Sequence, residues 1–193
     1  ARPRPRYEMA VRSLADLQGY AGPTRLEVEE RREIVTDAAL AERLGCEPGT
    51  RLLRLRGLRR RADAAGTPIS SVEMYVPVEF AAVAERPEVG TTQIYKLIER
   101  HLGVPIVAME QEIGALALDR AAARRLEARA GSPGLAIIRR FFGPDRKLVE
   151  ATVNIHPPID AFTYAIRLDA PEGAMIDRPA PWKGSAGKVV RRQ

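Results

Sequence analysis

The chain has 193 residues and a mass of 21.3 kDa, enough for one domain with extended ends but hardly for two. Apolar residues make up 45% and charged residues 29%, a balance typical of globular proteins that excludes wholesale disorder. No apolar run approaches the roughly 20 residues that span a bilayer, no signal peptide is apparent, and one cysteine with two histidines disfavours a disulfide or a structural zinc site. We therefore expect a cytoplasmic protein with no membrane partner, metal or cofactor.

The net charge of +6 is concentrated at the two ends of the chain. Residues 1–6 contain three arginines, and residues 169–193 carry an excess of basic over acidic side chains among prolines and glycines. Residues 7–168 are close to neutral. Basic tails of this kind can contact phosphates without sequence preference, although solvated chain ends are the simpler interpretation.

A short helix and two strands are predicted in the first half of the chain. Asp37 can cap a helix in which Leu40 and Leu44 lie one turn apart and which ends near Gly45. Apolar residues then alternate with polar ones on both sides of a turn at 62–66, which predicts a pair of strands. The alternating apolar residues are Leu53, Leu55, Val72, Met74 and Val76.

A central helix is predicted next, beginning near Thr91 or Thr92 and ending at Gly103. Its residues at helical spacing are Ile94, Leu97, Ile98, His101 and Leu102. A strand over about 106–118 follows.

The helix–strand–turn–strand pattern then returns about 82 residues after its first appearance. Asp119 caps the second helix, a strand contains Ile137 and Arg139, a turn covers 143–145, and another strand covers 148–157. His156, next to Pro157, is expected in a turn, and a last strand over 162–168 closes the domain. The pattern predicts an α+β fold, an antiparallel sheet with helices packed on it, built from two pseudo-symmetric halves.

Residues 37–50 look at first like the start of a helix-turn-helix. That motif needs a second helix to enter the major groove, whereas residues 51–58 alternate as a strand does and contain Gly57. We therefore expect no DNA-reading motif here.

The order and spacing of several segments resemble one known family. These segments are the helix end Leu44-Gly45, the strand Leu53-Arg54-Leu55-Arg56, the run Gly66-Thr67-Pro68-Ile69 leading to Glu73-Met74-Tyr75-Val76-Pro77, the helix Ile94-Tyr95-Lys96-Leu97-Ile98-Glu99, the helix Ala121–Leu126, and Ile137-Ile138-Arg139 followed by Glu150. Together they resemble the UTRA effector-binding domain of GntR-type transcription regulators of the HutC subfamily. The resemblance implies a chorismate-lyase-like fold, a small-molecule pocket and a homodimer.

The resemblance also implies the domain organisation. We expect residues 1–23 to be a linker that follows a winged-helix domain absent from this chain, 24–168 to be the effector domain, and 169–193 to be a flexible basic tail. The chain is then either an excised effector domain, which we favour, or a natural protein without the winged helix. Operator DNA would be bound only through that winged helix.

Two arginines are the sharpest candidates for the pocket. Arg139 shares a strand face with Leu135, Ile137 and Phe141, so its charge must be paired there. Arg56, flanked by Leu52 and Leu58, is taken as its counterpart in the first half. Their guanidinium groups could converge on a carboxylate or phosphate of a ligand, or each could form an internal salt bridge, for instance with Glu73 or Glu150.

Six further residues are candidates for ligand contact. Thr91 and Thr92 can favour an anion at the start of the central helix or simply cap it. Glu73 and Glu150 could accept hydrogen bonds from a ligand hydroxyl or amine, or lie on solvated strand faces. Tyr164 could wall the pocket or pack in the core, and the resemblance implies a donor at Ser13.

The effector is expected to be anionic. Leu58 stands where sugar-phosphate-binding relatives often carry a second arginine, so an organic acid or a more apolar effector is favoured over a sugar phosphate.

Three functions remain open. The leading one is a ligand sensor in which the effector shifts the geometry of a dimer. The alternative is a chorismate-lyase-like enzyme on the same fold, although no catalytic triad, metal cluster or glycine-rich phosphate loop is evident. The third is a dimerisation module without a ligand.

Overall fold

The computed structural model describes residues 7–10, 24–61, 66, 68–158 and 162–165. Its centre is a six-stranded antiparallel sheet in the order β2-β3-β4-β7-β6-β5. The strands are β2 (Thr24–Val35), β3 (Arg51–Arg61), β4 (Pro68–Pro77), β5 (Ala108–Ala117), β6 (Pro133–Phe142) and β7 (Leu148–His156). Two further strands, β1 (Tyr7–Ala10) and β8 (Phe162–Ala165), pair with each other in parallel.

Three α-helices accompany the sheet: α1 (Ala38–Leu44), α2 (Ile94–Leu102) and α3 (Arg120–Arg125). Short 3-10 segments cover Val78–Glu85, Pro87–Gly90 and Pro144–Arg146. No helix in the described part of the chain is long and apolar enough to cross a membrane.

The two predicted aspartate caps are confirmed. Asp37 accepts a hydrogen bond from the Leu40 amide at 2.8 Å, and Asp119 accepts one from the Ala122 amide at 2.7 Å. Gly45 ends α1 in the left-handed conformation (φ 71°), which glycine adopts without strain. The segment that follows α1 is strand β3 and not a second helix, as its alternation predicted.

The α+β antiparallel fold and its two halves are confirmed, but each half is longer than predicted. One half is β2-α1-β3-β4 and the other is β5-α3-β6-β7, and they meet at the β4–β7 pair in the middle of the sheet. Strand β2 was missed because a run of charged residues, Glu29–Glu33, hides its alternation and a β-bulge interrupts it between Val28 and Glu30.

The two faces of the sheet are covered by different helices. On one face, which we call the α2 face, the sheet residues Leu55, Met74 and Val76 pack in one cluster with Ile94 and Leu97 of α2. On the other, the α1–α3 face, Leu52 and Tyr75 cluster with Leu44 of α1, and Leu58 clusters with Ala123 and Leu126 near α3. Successive strand residues point to opposite faces, so these clusters assign the sheet residues to a side wherever the register is regular.

Candidate ligand-binding site

A hollow lies between the start of α2 and the α2 face of the sheet. It has about 540 Å³ of atom-free space, part of it open to solvent. It is lined by Leu26, Arg59, Val72, Met74, Val89, Thr92, Gln93, Ile94, Tyr95, Arg139, Phe141, Glu150, Thr152 and Asn154. Seven of these residues are apolar or aromatic and seven are polar or charged. Small-molecule sites likewise combine apolar walls with polar groups that orient the ligand.

Arg139 lies on the floor of this hollow, as part of β6. It is only 7% exposed, and its Nε donates a hydrogen bond to Oε1 of Gln111 at 2.7 Å. Gln111 is its direct neighbour in β5, and Thr152 is its neighbour in β7. A guanidinium group held in a partly apolar pocket is well placed to bind an anion, because charge interactions are strong where water is scarce.

Glu150 is the second charged group of the hollow. It is 2% exposed, and its Oε2 accepts a hydrogen bond from the backbone amide of Tyr95 at 2.8 Å. Burial raises the pKa of Glu150 to about 8, partly opposed by the Tyr95 amide and the charge of Arg139. The alternative of a solvated strand face is therefore wrong for Glu150.

The same contact explains how α2 begins. The N-cap residue is Gln93, which makes no side-chain capping bond, and Tyr95 follows as the second residue of the helix. Glu150, from β7, thus caps the first turn of α2, the role that was one of the two expectations for Thr91 and Thr92.

Tyr95 connects this contact to the wall of the hollow. Its ring stacks on Phe141 with 4.4 Å between ring centroids and 16° between planes. Its hydroxyl is buried and has no hydrogen-bond partner among the described residues. Burial, with the nearby charge of Glu150, raises the pKa of Tyr95 to about 12, so the hydroxyl stays protonated.

The prediction that Arg56 and Arg139 converge on one ligand is wrong. Arg56 is opposite Glu73 in β4, whereas the α2-face row that contains Arg139 runs through Thr152 and Met74. Neighbouring rows point to opposite sides of a sheet, so Arg56 lies on the α1–α3 face.

Arg56 instead forms the predicted alternative, an internal salt bridge. Its Nε lies 2.9 Å from Oε1 of Glu73, and its Nη1 lies 3.4 Å from Oε2 of Glu30. Glu73 also accepts a hydrogen bond from the Tyr75 hydroxyl at 2.5 Å. Arg56 and Glu73 therefore belong to a structural ion-pair network outside the hollow.

A residue that sequence reasoning missed, Arg59, supplies the second arginine. It lines the hollow from β3, and its Nη1 donates to Oγ1 of Thr24 at 3.0 Å. The signal was present: Leu53 and Leu55 face α2, and the same alternation carried through Gly57 places Arg59 on that face. The repeat offset that aligns Leu53 with Leu135 also aligns Gly57, not Arg56, with Arg139.

The remaining candidates are divided. Thr92 lines the hollow, while Thr91 is exposed and its hydroxyl donates to the carbonyl of Glu88 at 3.2 Å. Ser13 lies outside the described residues, and for Tyr164 only the backbone of its strand is described.

The turn predicted at His156 is wrong. It is the buried last residue of β7, and its Nδ1 lies 3.1 Å from the carbonyl oxygen of Ile69. Burial lowers its pKa to about 4, so the imidazole is neutral at physiological pH.

Several solved structures share this fold. The effector domain of PhnF from Mycobacterium smegmatis matches with a TM-score of 0.69 and 16% identity, over 85% of this chain and 100% of that one. The longer PhnF structure matches with a TM-score of 0.67 and 18% identity, over 87% of this chain and 74% of that one. A GntR-family transcriptional regulator from Bacillus cereus matches with a TM-score of 0.61 and 16% identity, over 77% of this chain and 100% of that one.

At these identities the likeness concerns the fold. No curated protein matches the sequence. The family model of the UTRA domain, however, matches residues 21–162, which is most of the chain and includes the whole central sheet with its three helices. The chain therefore belongs to the UTRA domain family.

Proposed function

We propose that this chain is the effector-sensing module of a GntR-type transcription regulator of the HutC subfamily, and that its effector binds in the hollow beside α2. The observation that carries the proposal is the buried arginine Arg139, which shares a partly solvent-open hollow with the buried carboxyl group of Glu150. Burying charge costs several kcal/mol, and a binding site for an anionic ligand gives a reason for it. The effector domains among the structural neighbours support a sensor over an enzyme.

The proposal includes a route from ligand to protein geometry. Glu150 joins the floor of the hollow to the first turn of α2 through the Tyr95 amide. An anionic effector near Arg139 would change the balance of charge at Glu150 and so favour one position of α2 over another. A ligand shifts such an equilibrium only by its difference in affinity for the two positions.

In this proposal residues 24–168 form the effector domain of a homodimer, residues 1–23 link it to a winged helix that binds operator DNA, and residues 169–193 form a basic tail. Because the distance between two DNA-binding heads sets which pair of half-sites they can reach, a change in dimer geometry changes DNA binding. Light scattering is expected to give the mass of a dimer for the 193-residue chain.

The proposal is tested by thermal shift with a panel of organic acids and sugar phosphates on the wild-type chain. A ligand present at 100 times its Kd stabilises the folded state by about 2.7 kcal/mol. Arg139→Ala is expected to abolish the shift while circular dichroism shows the fold retained. Arg56→Ala is the matched control, because it removes an arginine from the opposite face, and it should keep the full shift.

Two results would contradict the proposal. The first is a ligand shift that survives Arg139→Ala or is lost in Arg56→Ala, since either would place the ligand elsewhere. The second is release of pyruvate from chorismate by the chain, which would favour the enzyme instead.

A further inference from the structure

We propose that the hollow selects a small carboxylic acid with a hydroxyl or ammonium group one or two carbons from its carboxylate, the carboxylate binding Arg139 and the neighbouring group binding Glu150. This inference rests on the proposed effector site and names the chemical class of its ligand. The hydroxyl and the ammonium share one property, which is that each donates a hydrogen bond next to a carboxylate.

The spacing of Arg139 and Glu150 suits such a molecule. Arg139 is opposite Thr152 and Glu150 is opposite Phe141, so the two charged residues are diagonal neighbours on the same face of adjacent strands. Diagonal neighbours lie roughly 7–8 Å apart in a sheet. Side chains at that separation reach two groups of one small molecule, and a planar guanidinium group matches a carboxylate.

The carboxyl group of Glu150 has an oxygen to offer. Oε2 accepts the hydrogen bond from the Tyr95 amide, whereas Oε1 accepts none from the described residues. Filling the hollow with an acid that has no donor would bury this oxygen without a donor and, at a pH where Glu150 is ionised, would place it beside a second carboxylate. Sites built around a polar group reject analogues that cannot pair with it more strongly than they reject a change in size.

The protonation of Glu150 distinguishes the two ligand types. The groups that act on it are Arg139 of β6 and Tyr95 of α2. Arg59 of β3 lines the same hollow, and the neutral His156 lies farther along β7. An ammonium group favours the ionised carboxylate, so an amino acid would bind more tightly as the pH rises towards 8. A hydroxy acid brings only a negative charge, favours the neutral carboxyl, and would bind more tightly as the pH falls from 8.

The test compares two size-matched trios on the wild-type chain by calorimetric or NMR titration. One trio is propionate, L-lactate and L-alanine, and the other is 3-phenylpropionate, L-3-phenyllactate and L-phenylalanine, since half of the residues that line the hollow are apolar or aromatic. In at least one trio the hydroxy or amino acid is expected to bind at least tenfold more tightly than the plain acid. Repeating the titration between pH 6.5 and 8.5 then separates the hydroxy from the amino class.

Glu150→Gln tests the residue itself. The glutamine oxygen can still accept the Tyr95 amide, which preserves the start of α2, but its NH2 group then faces the ligand and cannot accept a hydrogen bond. The tenfold preference should fall below threefold in this variant and remain in Glu73→Gln, whose carboxylate lies on the opposite face.

Three outcomes would overturn the inference. These are equal affinity within both trios, a preference that survives Glu150→Gln, and no binding by any of the six acids. None of these outcomes decides the proposed sensor function, which is tested separately by the thermal-shift panel. Binding of any other compound in that panel would still support the sensor if it depends on Arg139.

Discussion

The two faces of the central sheet hold arginines in opposite environments. On the α1–α3 face, Nη2 of Arg54 lies 2.7 Å from Oε1 of Glu30, and Arg56 contacts both Glu30 and Glu73. The Arg54 side chain is 23% exposed and the Arg56 side chain is 35% exposed. On the α2 face, Arg139 is 7% exposed and shares a partly solvent-open hollow with Glu150, the one carboxyl group among the described residues that line it.

The comparison shows that residue type alone does not mark a binding site. Half-exposed arginines between carboxylates stabilise a protein slightly, because solvent screens their charge. A buried arginine at the bottom of such a hollow offers a ligand a stronger interaction, because its own burial limits the screening of its charge by water. The α2 face is therefore the one on which a change of charge should affect both ligand binding and pH dependence.

The largest effect is expected at Gly57, which lies between Leu55 and Arg59 on the α2 face. A Cβ atom at this position would lie 2.1 Å from the backbone oxygen of Glu27 in β2, beside the bulge. A neighbouring backbone cannot move away as a side chain can, so Gly57→Ala should lower the free energy of unfolding by about 3 kcal/mol. Urea denaturation measures the change.

Gly114→Ala is the control for Gly57. Gly114 lies in β5, and a Cβ atom there would meet nothing within 4 Å. Its effect should stay below about 0.5 kcal/mol. Similar losses of stability at both glycines would show that the close approach of β2 is not the cause of the loss at Gly57.

The next largest effect is the pH dependence due to Glu150. Burial raises its pKa from the ordinary 4.5 to about 8, so between these values the folded state keeps a proton that the unfolded state has released. Stability therefore falls as the pH rises through this window. His156, with its pKa lowered from 6.5 to about 4, has the opposite effect, but only below pH 6.5.

Between pH 6.5 and 8 the contribution of Glu150 should thus appear separately from that of His156. Its slope is at most about 1.4 kcal/mol per pH unit, or about 2 kcal/mol over the window. Urea denaturation across these pH values should show the decline in the wild type and in Glu73→Gln, and a flat profile in Glu150→Gln. A decline that persists in Glu150→Gln would assign it to another group.

Local patterns in the sequence predicted most of the fold. The aspartate caps, the alternation in β3 and β4, and the repeated unit are all short-range signals, and the structure confirms them. Strand β2 lacked such a signal because its partner β3, rather than its own alternation, satisfies its charged residues, as in the pair of Arg54 with Glu30.

The candidate site was harder to predict because it depends on long-range contacts. Alternation shows which residues share a face within one strand, but not which face a distant helix covers. Glu150 illustrates this, since it is buried and its hydrogen bond is to the amide of Tyr95, 55 residues away. The choice of Arg56 over Arg59 had another cause, a shift of one residue in aligning the two halves, and such a shift moves a side chain to the other face of the sheet.

A smaller effect is expected from the ion pairs of the α1–α3 face. Arg56→Ala should lower the free energy of unfolding by less than about 1 kcal/mol, because its partners and its own side chain are partly exposed. A double-mutant cycle with Glu73→Gln, run at low and high salt, measures the coupling and its screening. A coupling that is large and insensitive to salt would mean that this network is shielded from solvent, and the contrast between the faces would be lost.

The smallest effect is expected from Tyr95→Phe. The Tyr95 hydroxyl is buried without a partner among the described residues, while its ring stacks on Phe141. Phenylalanine keeps the stacking and removes a buried hydroxyl that makes no hydrogen bond to the described residues. The free energy of unfolding should therefore change by less than about 0.5 kcal/mol, and a small increase is expected rather than a decrease. Urea denaturation without ligand measures this, and a loss above 1 kcal/mol would mean that the hydroxyl is already satisfied within the protein. A near-zero change in the free energy of unfolding, combined with weaker ligand binding, would instead show that the Tyr95 hydroxyl contacts the ligand. The α2 face would then hold a polar group that serves binding and not stability, unlike the ion pairs of the α1–α3 face.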